Sequence, residues 1–106
     1  MEKSIKVEKW SKDTPPTFQD LEDLVKGEGL EPDVWGNEAD YQYPIHNHNY
    51  TKIIYCVRGW VDFLFPQERR TIRLEPGDKM TVPVGTDHGA IVGENGVTCI
   101  EGHKYE

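Results

Sequence analysis

His46-Asn47-His48-Asn49-Tyr50-Thr51-Lys52, followed seven residues later by Gly59, is the first of two stretches that decide the reading of this chain. The second is Gly77-Asp78-Lys79-Met80-Thr81-Val82-Pro83-Val84-Gly85-Thr86-Asp87-His88. On a strand, side chains at i and i+2 project to one face, so His46 and His48 can converge on a single ion. His88 comes just after the Pro83-Val84-Gly85 turn, where an exposed loop residue is expected to begin a strand. Imidazoles from two neighbouring strands make a three-ligand site with open positions, which is the geometry a reactive metal needs.

The surroundings of both stretches read as β. Short β-branched or aromatic runs recur at 53–57, 60–65, 71–74, 80–82, 90–92 and 97–100. Turn signals separate them: Arg58-Gly59, Pro66-Gln67-Glu68, Glu75-Pro76-Gly77-Asp78, Pro83-Val84-Gly85 and Gly93-Glu94-Asn95-Gly96. Pro76-Gly77 suits a type II turn, in which proline fixes φ and glycine supplies a positive φ. Strands at this spacing with no helices between them predict an antiparallel sandwich or barrel.

The chain changes character near residue 40, so an N-terminal arm over 1–40 and a β-barrel over 41–106 are expected within a single domain. In the arm, the spacing of Phe18, Leu21 and Leu24-Val25 predicts a short helix over 17–26. Thr17 caps it, Asp20 stands at N3, Gly27 stops it and Pro15-Pro16 blocks its backward extension. Ile5 and Val7 alternate with charges, as an edge strand does.

The chain has 106 residues, with 12 basic against 19 acidic side chains and a formal net charge of −7. That balance argues against binding to nucleic acid or to an anionic membrane surface. The N-terminal residues lack the apolar stretch of a signal peptide, so a cytoplasmic protein is expected. Cys56 and Cys99 are expected to be buried free thiols, because no CxxC occurs and a cytosolic chain seldom holds a disulfide. No GxSxG or phosphate loop supports hydrolase or kinase chemistry.

His46-x-His48-x(3)-Lys52-x(6)-Gly59 and Gly77-x(5)-Pro83-x-Gly85-x(2)-His88, with 17 residues between Gly59 and Gly77, resemble the two signature motifs of the cupin superfamily. The resemblance covers about residues 41–102. It implies an all-β fold, a small jelly-roll or double-stranded β-helix barrel, here preceded by a short N-terminal helix and arm. It also implies a divalent transition metal (Fe, Mn, Ni, Zn or Cu) near the barrel mouth, held by His46, His48 and His88. A small-molecule metalloenzyme is the function implied, dioxygenase-like or acting as an isomerase or decarboxylase. A small-ligand binding or sensing module without turnover is the alternative.

Two positions depart from the pattern. Lys52 stands where the family usually has a glutamate ligand, and Val92 where the second motif often has asparagine. A protonated lysine cannot ligate and repels a divalent ion. Lys52 shares parity with the two histidines. It either anchors an anionic substrate or acts as an acid or base in the site, or else it snorkels its head to solvent at the barrel mouth. Tyr50, Ile54 and Cys56 share that parity and are expected to line the pocket. Glu101 and His103 offer a fourth ligand, although the chain end reads more readily as a fraying, solvated terminus. Trp35, Tyr41 and Tyr43 are expected to close a barrel end or cover a dimer face. Apolar residues in Asp33-Val34-Trp35 without an obvious interior place suggest a homodimer. Light scattering checks it, and a monomer mass at micromolar concentration would count against it.

Overall fold

Two long strands carry the architecture. The computed structural model describes residues 4–105. Its elements are β1 (Lys6–Glu8), α1 (Phe18–Gly27), β2 (Asp33–Asn37), β3 (Gln42–His46), β4 (Thr51–Phe65), β5 (Arg70–Leu74), β6 (Lys79–Val82) and β7 (His88–Lys104). All ladders are antiparallel, in the order β1-β6-β4-β7-β2, with β3 also on β7 and β5 also on β4. The first half of β4 pairs with β6 and the end of β7; its second half pairs with β5 and the start of β7.

The runs expected at 53–57 and 60–65 are one strand. Arg58-Gly59 is a bulge in it rather than a hairpin turn. Gly59 sits at φ 77, and a Cβ there would collide with the Gly96 carbonyl, so the motif glycine is required by both backbone angle and space. Across the bulge β4 advances from Gly59 to Val61 while its partner on β7 jumps from Val97 to Val92. The intervening Gly93-Glu94-Asn95-Gly96 segment is therefore a bulge within β7, not the turn expected. The bulge also reverses side-chain parity: Ile54 and Cys56 face the main core before it, Val61, Phe63 and Phe65 after it.

On the first half of β4, alternation sends Ile53 and Tyr55 to the opposite face, where they pack with Ile100 under α1. The helix forms as expected. Thr17 Oγ1 accepts the Asp20 backbone N–H at 3.0 Å, and the Thr17 N–H donates to Asp20 Oδ2 at 3.0 Å. Leu21 and Val25 are fully buried against the sheet, while Phe18 and Leu24 of the expected stripe remain exposed. Leu21→Ala should cost about 2–5 kcal/mol, as deletion of a buried leucine side chain does. Urea unfolding reads it, and a loss below about 0.5 kcal/mol, the scale of a surface change, would contradict the docking of α1.

Beyond the β1–β6 ladder, one carboxylate ties the N-terminal segment to the barrel. Buried Asp78 accepts from Lys9 Nζ at 2.5 Å, from the Trp10 N–H at 3.1 Å and from the Glu75 N–H at 2.9 Å. Gly77, at φ 89 beneath the Trp10 ring, completes the expected turn, closed by the Asp78 N–H on the Glu75 carbonyl at 2.9 Å. Cys56 and Cys99 face each other across β4 and β7 as buried free thiols. Hydrogen bonding to Cys56, together with burial, pushes the Cys99 thiol well up. Among the described residues no helix is long and apolar enough to cross a membrane.

Candidate metal centre

His46 ends β3 and His88 begins β7, and the two residues are direct partners in that ladder. His48 does not lie on a strand, as its spacing from His46 suggests. It sits in the loop after β3, pinned where its carbonyl accepts the Gly85 N–H at 2.9 Å. The motif glycine of the second stretch thus anchors the second histidine of the first. Asn47 Nδ2 donates to Asp87 Oδ1 at 2.9 Å and ties the same two loops.

The three rings converge, with centroids 4.6 Å apart for His46–His88, 4.8 Å for His46–His48 and 5.3 Å for His48–His88. One nitrogen from each lies within 4.8 Å of the others. His46 Nδ1 meets the Pro44 carbonyl at 2.7 Å, and His88 Nδ1 meets the Thr86 carbonyl at 2.9 Å. A carbonyl only accepts, so in both rings Nδ1 carries the hydrogen and Nε2 presents its lone pair. The Nε2 atoms of His48 and His88 are buried without a hydrogen-bond partner. Buried polar atoms are almost always satisfied, and two orphaned imidazole nitrogens in one cluster are the donor set a divalent transition metal takes. The three residues fit such an ion.

Burial first, and then the Lys52 charge and the neighbouring imidazoles, pull the His48 pKa down from 6.5 to about 4. Burial also lowers His88, against the raising effect of the Thr86 hydrogen bond. Both rings are therefore neutral at pH 7, as ligation requires. The depressed His48 pKa also predicts a stability change. Near neutral pH the ring is neutral in folded and unfolded chains alike. As pH falls from about 6.5 to about 4 the unfolded chain binds the proton first, so the metal-free fold loses stability across that window. His48→Gln should flatten this part of the stability–pH curve. Identical slopes in chemical denaturation of both proteins would contradict the assignment.

The histidines line one side of a cavity of about 290 Å³. Trp35, Tyr43, Phe63 and Ala90 supply its apolar wall, and Asp33, Tyr50, Lys52, Glu101 and His103 complete it. Lys52 points inward with its side chain only 10% exposed, so the reading in which it snorkels to solvent is overturned. Of the expected pocket residues, Tyr50 lines the cavity. Ile54 and Cys56 do not: both are fully buried in the main core.

Residues 101–104 do not fray. Residues through Lys104 belong to β7, and Glu101 is 4% exposed. Its Oε1 accepts the Trp35 indole N–H at 2.6 Å, and its Oε2 lies 2.5 Å from His103 Nε2. Lys52 Nζ is 3.6 Å from Oε1. Glu101 stands outside the three-imidazole set and groups instead with Asp33 and His103, whose ligand atoms lie within 4.8 Å of one another. Tyr50 connects the two groups, stacked on His48 at 4.7 Å and on His103 at 4.0 Å between centroids. Burial, and then the Glu101 charge, raise its phenol to about 12. Trp35 lines the cavity, while its neighbour Val34 remains exposed.

A barrel of two bulged long strands, with three imidazoles from the β3 end and the β7 start at its mouth, has the fold of the cupin superfamily. The likeness extends along almost the whole chain to a DUF861 family protein from Thermotoga maritima, 20% identical, with a TM-score of 0.65 over 94% of this chain and 99% of that one. An RmlC-like cupin from Shewanella frigidimarina is 22% identical, with a TM-score of 0.62 over 73% of this chain and 67% of that one. The polyketide cyclase RemF from Streptomyces resistomycificus is also 22% identical, with a TM-score of 0.65 over 73% of this chain and 55% of RemF. No protein-family model matches the sequence, and no curated protein matches it.

Proposed function

We propose that this chain is a metal-dependent enzyme acting on a small molecule, with His46, His48 and His88 holding one divalent transition metal. The observation that carries the reading is the pair of buried, unpartnered Nε2 atoms of His48 and His88, which share a cluster with His46 at the edge of a cavity. When bound, the metal supplies Lewis acidity and open coordination positions. A purely structural ion is disfavoured, because structural sites are closed by four ligands.

The chain's own residues supply the rest. Trp35, Tyr43, Phe63 and Ala90 keep water from one wall of the cavity. Glu101 is buried and keyed by Trp35, and it contacts His103, whose side chain is 26% exposed. The pair carries a proton either way between the cavity and solvent through Glu101 Oε2 and His103 Nε2: removed and returned in an isomerisation, delivered to the carbon that loses carbon dioxide in a decarboxylation. This pair favours reactions that move a proton, isomerisation or decarboxylation, over dioxygenase-like cleavage and over binding without turnover, neither of which needs it.

The test follows small carbonyl compounds and organic acids by NMR with protein loaded with Fe(II), Mn(II), Ni(II) or Zn(II). Metal-dependent product or solvent-deuterium incorporation is expected, reduced at least about 100-fold in Glu101→Gln, the lower end of a general acid–base contribution. Metal-dependent oxygen consumption unaffected by Glu101→Gln would instead favour oxidative cleavage. Ligand binding with no turnover under any metal would favour the sensing module.

A further inference from the structure

Lys52 supplies the lone ammonium among the described residues lining the cavity. Its backbone is fixed on both sides, opposite Val82 of β6 and His103 of β7. Its stem is buried, yet its donors are unspent. Glu101 Oε1 is 3.6 Å from Nζ, beyond hydrogen-bond distance, and already accepts the Trp35 indole N–H at 2.6 Å. The other Glu101 oxygen is taken by His103. Glu101 thus offers Lys52 a counter-charge but no hydrogen bond. A desolvated ammonium with free N–H donors at a cavity wall calls for an acceptor brought by a ligand.

The lining narrows what that acceptor is. With a divalent ion in place, the formal charges of Asp33, Glu101, Lys52 and the ion sum to about +1, which a monoanion neutralises and a dianionic phosphate exceeds. The apolar wall of Trp35, Phe63 and Ala90 suits a carbon skeleton, and a cavity of about 290 Å³ limits its size. We infer that the ligand of this cavity is a small organic carboxylate, its carboxylate held by Lys52 and another polar group directed to the His46/His48/His88 cluster. The inference rests on the metal-enzyme reading and adds the substrate class to it. It also sets an order of binding. The carboxylates outnumber the ammonium until a divalent ion is in place, so the anion binds after the metal.

Calorimetric titration of Co(II)-loaded wild type, Lys52→Met and Lys52→Arg with pyruvate, glycolate and benzoate, each against its neutral amide, tests this. Wild type should prefer at least one acid over its amide by about tenfold or more, and bind none of the acids measurably without Co(II). Lys52→Met should lose roughly 10- to 100-fold in affinity for that acid, the share carried by a charge-assisted hydrogen bond, with amide affinity within about twofold of wild type and Co(II) affinity not reduced. Lys52→Arg should keep most of the preference. Equal acid affinity in wild type and Lys52→Met would overturn the inference, as would an equal loss for acid and amide. So would Co(II)-loaded wild type that binds none of the acids, a result that leaves the metal site standing. Failure of wild type to take up Co(II) would sink the metal reading itself and the inference with it. Should Lys52→Met not fold, Lys52→Met/Glu101→Gln removes both charges of the pair, and the same acid-over-amide loss is expected of it.

Discussion

His88→Ala should lower the affinity for a divalent transition metal by more than about 100-fold, since loss of an outer-shell partner alone costs 10–100-fold. His88 is the best placed of the three ligands: it is 2% exposed, its Nδ1 is fixed on the Thr86 carbonyl and its Nε2 has no partner within the protein. Truncation removes a nitrogen that nothing else in the cluster replaces, because Glu101 is held among Trp35, His103 and Lys52. The fold should survive, since an unsatisfied buried atom is removed along with the ligand. Competition with a chromophoric chelator measures the affinity. A change under about threefold, with circular dichroism unaltered, would mean that His88 is not a ligand.

The second large effect is on stability. Glu101→Leu should destabilise the fold by about 3–5 kcal/mol, because it strands a buried ammonium without its counter-charge. The Trp35 indole N–H and His103 lose their acceptor in the same step. The partner substitution identifies the cause: Lys52→Met/Glu101→Leu replaces both charges with apolar groups and should recover much of the loss. Urea denaturation of the two single variants and the double variant gives the cycle. Additive losses would show that Lys52 and Glu101 do not interact.

Much of the barrel and the metal cluster was legible because each rests on a local rule. The glycines at 59 and 77 mark positions with positive φ, where an added Cβ meets the neighbouring chain or the Trp10 ring. His46, His48 and His88 come together as expected, though by a different route, with a loop rather than a strand presenting His48. Lys52 faces the cavity, but from β4 rather than from a strand shared with the histidines. The bulge at Arg58-Gly59 then shifts which residues face inward, and no pattern of apolar residues announces a bulge in advance.

What eluded the sequence was the far wall of the cavity. Trp35 and Asp33 lie on β2, a five-residue strand whose partner on β7 is more than sixty residues away in the chain, so only tertiary pairing places them. Glu101 carried a usable signal. It is a single carboxylate directly after the apolar run Val97-Thr98-Cys99-Ile100, on a strand already expected to be buried. Proximity to the chain end argued for fraying, and pairing with both β2 and β4 overrides that argument. Tyr50 lines the cavity, and its stacking between His48 and His103 depends on a loop geometry that spacing does not encode.

Elemental analysis of the untagged protein, purified without chelator and then titrated with Fe(II), Mn(II), Ni(II) and Zn(II), tests the three-imidazole site most directly. About one divalent transition metal per chain is expected, as purified or after titration, and none in a variant with His46, His48 and His88 all replaced by alanine. Wild-type protein that is metal-free and takes up none of the four ions, or equal uptake by the triple variant, would contradict it.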